Sequence, residues 1–197
     1  MKLFRNFVLT GILLSGSFST PAQRIYSTNS VLANGSWYKL SVKQRGIYKI
    51  DIPFLASLGV NTVSLSSNSV RLFGNGGAML SEANAGQWLD DLTENSIQVV
   101  DGGDGVINGS DYILFYASGP DEWKKDSVNK RFIHQKNLYS NESYYYLTIG
   151  GNGKRVQNAS ISGSPAITVT GFSERFFHES DTINFLASGK EWYGEEF

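Results

Sequence analysis

The stretch Asp90–Tyr145, DDLTENSIQVVDGGDGVINGSDYILFYASGPDEWKKDSVNKRFIHQKNLYSNESYY, decides the fold class. Two apolar runs, Ile97-Gln98-Val99-Val100 and Tyr112-Ile113-Leu114-Phe115-Tyr116, flank an Asp/Gly loop. Runs of this length bounded by turn residues are strands. The second run has no polar gap, so it is expected to be a central strand buried on both faces. A polar turn with Trp123 follows, then His134-Gln135-Lys136-Asn137.

Outward from this block, strand patterns dominate. In 37–43, Tyr38, Leu40 and Val42 share one face. Gln44-Arg45-Gly46 reads as a turn and Ile47–Ile50 as the returning strand, so a hairpin is expected over 37–50. Asp51 is placed to cap a short helix through Leu58, with Pro53 in its first turn and Gly59 ending it. Residues 69–73 form a further strand, stopped by Gly74-Asn75-Gly76-Gly77. Residues 143–149 resemble 112–116, and 167–170 with 172–177 make a last pair of strands. Short strands with Gly-rich turns predict a mainly β chain, a β-sandwich or jelly-roll-like domain with one short helix. The Gly150–Gly153 turn is either a subdomain boundary or a hairpin loop.

Lys2 and Arg5 precede an apolar run over 7–14, then Ser15, Gly16, Ser17 and Ser19 lead to Thr20-Pro21-Ala22. This is the layout of a secretory signal peptide, with cleavage expected after Ala22. The apolar run is short of the roughly 20 residues of a membrane-spanning helix. The mature domain is then 23–197, an exported protein. The chain has no Cys, so neither disulfides nor a thiol nucleophile contribute. A core must suffice, and a domain of about 175 residues can bury roughly 70% of its unfolded surface. Without Lys2 and Arg5 there are 15 basic and 18 acidic residues, a net charge of −3. No basic stripe is present, and nucleic acid is not an expected partner.

Asp104-Gly105-Val106-Ile107-Asn108-Gly109-Ser110-Asp111 matches the back half of an EF-type calcium loop. The front half departs: the first and third ligand positions fall on Val100 and Gly102, and Asp101 is one residue out of register. Asp101, Asp104, Asn108 and Asp111 are the calcium candidates. The competing reading, which we favour, is a tight turn in which Asp and Asn bond their own backbone and Gly supplies positive φ. No cofactor is expected otherwise. His134 and His178 lack zinc spacing and read as surface or strand-end residues bonded to a backbone carbonyl. Asp90, Asp91, Glu94, Asp121 and Glu122 read as loop or cap charges, since glycosidase carboxylates must face each other across a cleft. Gly150–Lys154 lacks the spacing and hydroxyl of a phosphate loop. Trp37, Trp88 and Trp123 offer rings for sugar stacking, but core packing is the simpler role.

Several runs resemble the N-terminal region of the type IX secretion system sortases, gingipain-type cysteine peptidases. They are 30–39 (SVLANGSWYK), 46–50 (GIYKI), 70–77 (VRLFGNGG), 101–105 (DGGDG), 111–116 (DYILFY), 119–121 (GPD), 134–137 (HQKN) and 189–194 (GKEWYG). They occur in the family's order. The resemblance implies a bacterial surface protein whose full-length form removes the sorting domain of exported cargo and transfers the cargo to anionic lipopolysaccharide. It implies that the catalytic Cys and His belong to a following peptidase domain, and that the partners are that domain, outer-membrane attachment-complex proteins and, through the full-length enzyme, cargo. Asn34, Asn141 and Asn158 stand in glycosylation sequons that carry no meaning in a bacterium. The abrupt end at Phe197 gives the expectation of a chain cut before its peptidase domain, with Trp192, Tyr193 and Phe197 in the surface that faces it. The alternative function is a free-standing secreted module binding glycan or calcium.

With no Cys and two isolated histidines, no catalytic residue can be assigned. Purified residues 23–197 are expected to leave peptides spanning a sorting-domain junction uncleaved. Turnover above a heat-killed control, persisting after repurification, would show that a nucleophile was missed.

Overall fold

The computed structural model describes residues 26–83, 86, 88–159, 163–164, 167–172, 175–178, 183–184, 187 and 193–194. The chain divides into two units, Met1–Ser30 and Val31–Phe197. The described part of the first, 26–30, carries no helix or strand. The expected signal segment 1–22, and Trp192 and Phe197, lie outside the described residues.

In chain order the second unit runs β1 (Trp37–Val42), β2 (Gly46–Asp51), α1 (Ile52–Ser57), β3 (Leu65–Ser66), β4 (Val70–Phe73), β5 (Glu94–Asn95), β6 (Ile97–Val100), β7 (Val106–Ile107), β8 (Tyr112–Ala117), β9 (Glu122–Asp126), β10 (Arg131–Gln135) and β11 (Ser143–Ile149). One sheet has the order β1-β11-β4-β5 and a second β2-β8-β6, all neighbours antiparallel. Two ribbons, β3-β7 and β9-β10, complete the set.

Period-two alternation explains how the sheets meet. Leu40 and Val42 of β1, Val70 and Leu72 of β4, and Tyr145 and Leu147 of β11 point inward from the first sheet. Ile50 of β2, Ile97 of β6, and Ile113, Phe115 and Ala117 of β8 point inward from the second. All belong to one cluster, which Leu55 of α1 closes at 0% exposure. Each fully buried aliphatic chain stabilises the fold by about 1.5–3 kcal/mol relative to an exposed one. The expected mainly β chain with one short helix is what forms. Asp51 caps α1 by accepting from the Phe54 N–H at 3.0 Å, Pro53 lies in the first turn, and Gly59 follows at φ +85°.

Three local expectations give way to tertiary structure. The hairpin over 37–50 does not form, because β1 and β2 lie in different sheets. Their inward side chains cover the same core from opposite sides, so the chain crosses at 43–45 instead of folding back. The Tyr48 hydroxyl holds that crossing by donating to the Gln44 carbonyl at 2.9 Å. Strand β8 is central, but only one face is buried: Tyr116 on the other is 56% exposed. Residues 167–170 form no strand, and Ile167 and Val169 are exposed. Alternation there has no partner ladder among the described residues to bury it.

After β11 the chain turns through Gly150–Gly153 and returns to the sandwich, where Arg155 bridges Ile97. Gly153 is required by close approach: a Cβ there would stand 2.2 Å from the Val70 carbonyl oxygen. Glu94 fastens this return. Its side chain, 11% exposed, accepts from Arg71 Nη2 at 2.7 Å and Nε at 3.2 Å, and from the Lys154 N–H at 2.9 Å. The Arg71 guanidinium foremost, with the Lys154 N–H, holds the Glu94 carboxyl below its ordinary 4.5.

A carboxyl lowered by folding stabilises the protein above its unfolded pKa, and the contribution is lost as pH falls through the folded value. Glu94→Gln is expected to cost about 1–3 kcal/mol at neutral pH. The gap to wild type should close as pH drops below 4.5. Urea unfolding across pH measures it, and a gap that stays constant would mean that the ion pair contributes nothing.

Candidate functional site

Runs far apart in sequence converge at one end of the sandwich. Gly77, Gly119-Pro120-Asp121, His134, Asn137 and Ser143 meet beside the 43–45 crossing. A Cβ on Gly77 would stand 2.3 Å from the Ser143 Cβ and 2.8 Å from the Pro120 Cα, and one on Gly119 would stand 2.8 Å from the Arg45 nitrogen. Only glycine lets these backbones pack so closely. Polar bonds lock the junction. Asn137 Nδ2 donates to the Gly77 carbonyl at 2.6 Å, and its N–H to Asp121 Oδ1 at 2.9 Å. Ser143 Oγ donates to the Ser118 carbonyl at 2.7 Å, and the Ser118 N–H to the Tyr145 hydroxyl at 2.8 Å. Burial foremost pushes the Tyr145 hydroxyl pKa up, so it stays a neutral phenol.

The β9-β10 ribbon projects from this junction and has two faces. Trp123 and His134 are directly opposed on one face, and Glu122 with Gln135 belong to the other. The first face borders a recess of about 220 Å³ lined by Lys43, Arg45, Asp121, Trp123 and His134. The second borders an open groove of about 810 Å³ lined by Met79, Leu80, Lys124, Gln135 and Tyr139. Leu80 is 77% and Tyr139 81% exposed, and Leu138 and Ile133 are exposed as well. Exposed apolar side chains grouped in this way have the character of an interaction face.

His134 departs from its expected role. Its side chain is 10% exposed, Nδ1 is buried without a hydrogen-bond partner, and Nε2 is 3.8 Å from Asp121 Oδ2. The ring stacks on Phe177 at 3.8 Å and meets Trp123 edge-on at 5.0 Å. Arg175 lies over the Phe132 ring at 3.3 Å. The spacing of 175 and 177 thus matches that of 132 and 134. Nothing local in the sequence pairs these segments, and the aromatic content of 172–177 was the one available sign. His178 stacks against Phe176 at 6.3 Å.

The Asp/Gly loop joins β6 to β8. Asp101 Oδ1 accepts from the Gly103 N–H at 3.0 Å, and Asp104 Oδ1 from the Val106 N–H at 2.9 Å. Asp104 Oδ2 accepts from Asn108 Nδ2 at 3.1 Å, and Asp111 Oδ2 from the Asn108 N–H at 2.8 Å. Gly102, Gly103, Gly105 and Gly109 all have positive φ. The carboxylates are therefore turned onto the loop itself, as in Asx turns. The Ser67 hydroxyl foremost, then the Gly103 N–H, hold the Asp101 carboxyl below its usual range. Among the described residues, no three His, Asp or Glu are grouped to hold a metal ion.

The other carboxylates also have structural partners. Asp91 Oδ2 accepts from the Val31 N–H at 2.6 Å, and Glu122 is 3.5 Å from Lys124 Nζ. Trp37 packs edge-on against Phe73 at 5.2 Å and its Nε1 donates to the Asn34 carbonyl at 2.8 Å. Trp88 is 45% exposed.

No family model and no curated protein matches this chain. Among solved structures it is similar to PorU from Porphyromonas gingivalis, in a crystal structure of its dimeric latent form. The two share 28% identity at a TM-score of 0.50, over 70% of this chain and 12% of that one. The chain is a distant structural relative of PorU and spans a small part of its length.

The loop carboxylates are oriented by backbone donors of their own turn and are not grouped around a common point, so calcium would have to reorient them to bind. Isothermal titration is expected to give a dissociation constant no tighter than about 10⁻⁴ M, the weak end of calcium modules. Micromolar binding abolished by Asp104→Ala would show that the loop rearranges into a cage.

Proposed function

We propose that this chain is an N-terminal, non-catalytic β-domain of a type IX secretion sortase, exported to the cell surface. The observation that carries the reading is the likeness to PorU, a type IX sortase. It extends over most of this chain but over only 12% of PorU. The sequence runs shared with that family support it independently, since the fold gathers several of them at the ribbon junction. The domain's task is to pack on a peptidase domain and to dock attachment-complex proteins, while peptide cleavage and cargo transfer belong to the full-length enzyme. The apolar groove lined by Leu80 and Tyr139 is the surface offered for that docking.

The purified chain, mixed with PorU lacking the matching segment, is expected to form a complex on size exclusion and to restore part of its cargo processing. Leu80→Ser with Tyr139→Ser should weaken the complex at least severalfold, and Ile47→Ser on the second sheet should not. Absence of both complex and processing would overturn the reading.

A further inference from the structure

The chain contains four Asn-Gly pairs: Asn34-Gly35, Asn75-Gly76, Asn108-Gly109 and Asn152-Gly153. Asn-Gly is the dipeptide most open to succinimide formation, because glycine puts no side chain beside the attacking amide nitrogen. All four asparagines are exposed, so access of water does not choose between them. Two other requirements do. The Asn side chain must be free to swing its Cγ onto the next nitrogen, and that N–H must not be held by an acceptor.

Three pairs fail. Asn75 is held at both ends of its amide: Oδ1 accepts from the Thr93 N–H at 2.8 Å and Nδ2 donates to the Asp91 carbonyl at 2.9 Å. Asn108 is tethered through Nδ2 to Asp104 Oδ2 at 3.1 Å. At Asn152 the nucleophile is engaged, since the Gly153 N–H donates to the Asn68 carbonyl at 3.0 Å. Among the described residues, Asn34 alone of the four has a side-chain amide without a tether followed by an N–H without an acceptor; its backbone carbonyl accepts from Trp37 Nε1 at 2.8 Å. Gly35 has φ +93°, and a Cβ there would be in ordinary contact with Trp37 Nε1 at 3.7 Å and Thr148 Oγ1 at 3.8 Å.

We infer that Asn34-Gly35 is a site of spontaneous covalent modification, converting to aspartate and isoaspartate while the other three pairs are protected by the fold. The Gly35 nitrogen, losing its proton to solvent base, attacks Asn34 Cγ. A C–N bond forms, the Nδ2 group leaves as ammonia, and water opens the resulting ring at either carbonyl. The isoaspartyl product adds one methylene to the backbone and one negative charge immediately before β1. That disturbs the carbonyl on which Trp37 rests, and with it the edge contact of Trp37 on Phe73.

The purified protein would be aged at neutral and mildly alkaline pH, and each pair followed by peptide mapping with isoaspartyl methyltransferase labelling. Asn34 is expected to convert at least severalfold faster than any other pair, and faster at the higher pH. The indole N–H resonance of Trp37 should shift with the same time course. In urea the four rates should converge. Asp104→Ala should speed Asn108 and leave Asn34 unchanged. The inference is overturned if Asn75, Asn108 or Asn152 keeps pace with Asn34 in the folded protein, or if the ranking persists in urea.

Discussion

Strand β11 carries the architecture. It lies inside the first sheet, paired with β1 on one side and β4 on the other. Leu147, at its centre, is opposed by Tyr38 on one side and Leu72 on the other, and is fully buried. β1 and β4 have no ladder with each other, so the first sheet exists only once a strand about a hundred residues after β1 has arrived. Assembly therefore rests on contacts distant in sequence, the pattern of slowly folding β proteins. The second sheet follows the same logic on a smaller scale, with β8 inserted between β2 and β6.

This explains which parts of the fold were legible in the sequence. Where a rule is local, it held: the alternation of Leu40 and Val42, the Asp51 cap with Pro53 and Gly59, the Asx turns of 101–111. Where the outcome depends on a remote partner, local signals misled. Gln44-Arg45-Gly46 has the chemistry of a hairpin turn, yet both flanking strands have better partners elsewhere, β11 and β8. The run 112–116 reads as buried on both faces because Tyr is counted as apolar, whereas Tyr116 presents its ring to solvent. The ribbon junction was visible only as separate short runs, since nothing in Gly77 or Asn137 announces that one bonds the other.

The junction and the calcium-like loop make opposite use of polar groups. In the loop, Asp and Asn mostly bond residues two to four positions away and so shape their own turn, with Ser67 as the one distant partner, on Asp101. At the junction, Asn137 reaches back sixty residues to Gly77 and Ser143 reaches Ser118. The first arrangement shapes a turn and the second unites separate segments. It is the second that sets the ribbon's position and hence which side chains line its two grooves.

Strand β5 ends at Asn95 in the first sheet and β6 begins at Ile97 in the second, so a single residue, Ser96, connects the layers. One residue of backbone supplies almost no slack. Tension on β6 passes directly into β5 through covalent bonds, so at this corner the two layers cannot shift independently. The corner at Ser96 therefore acts as a fixed hinge point that keeps the two layers in register.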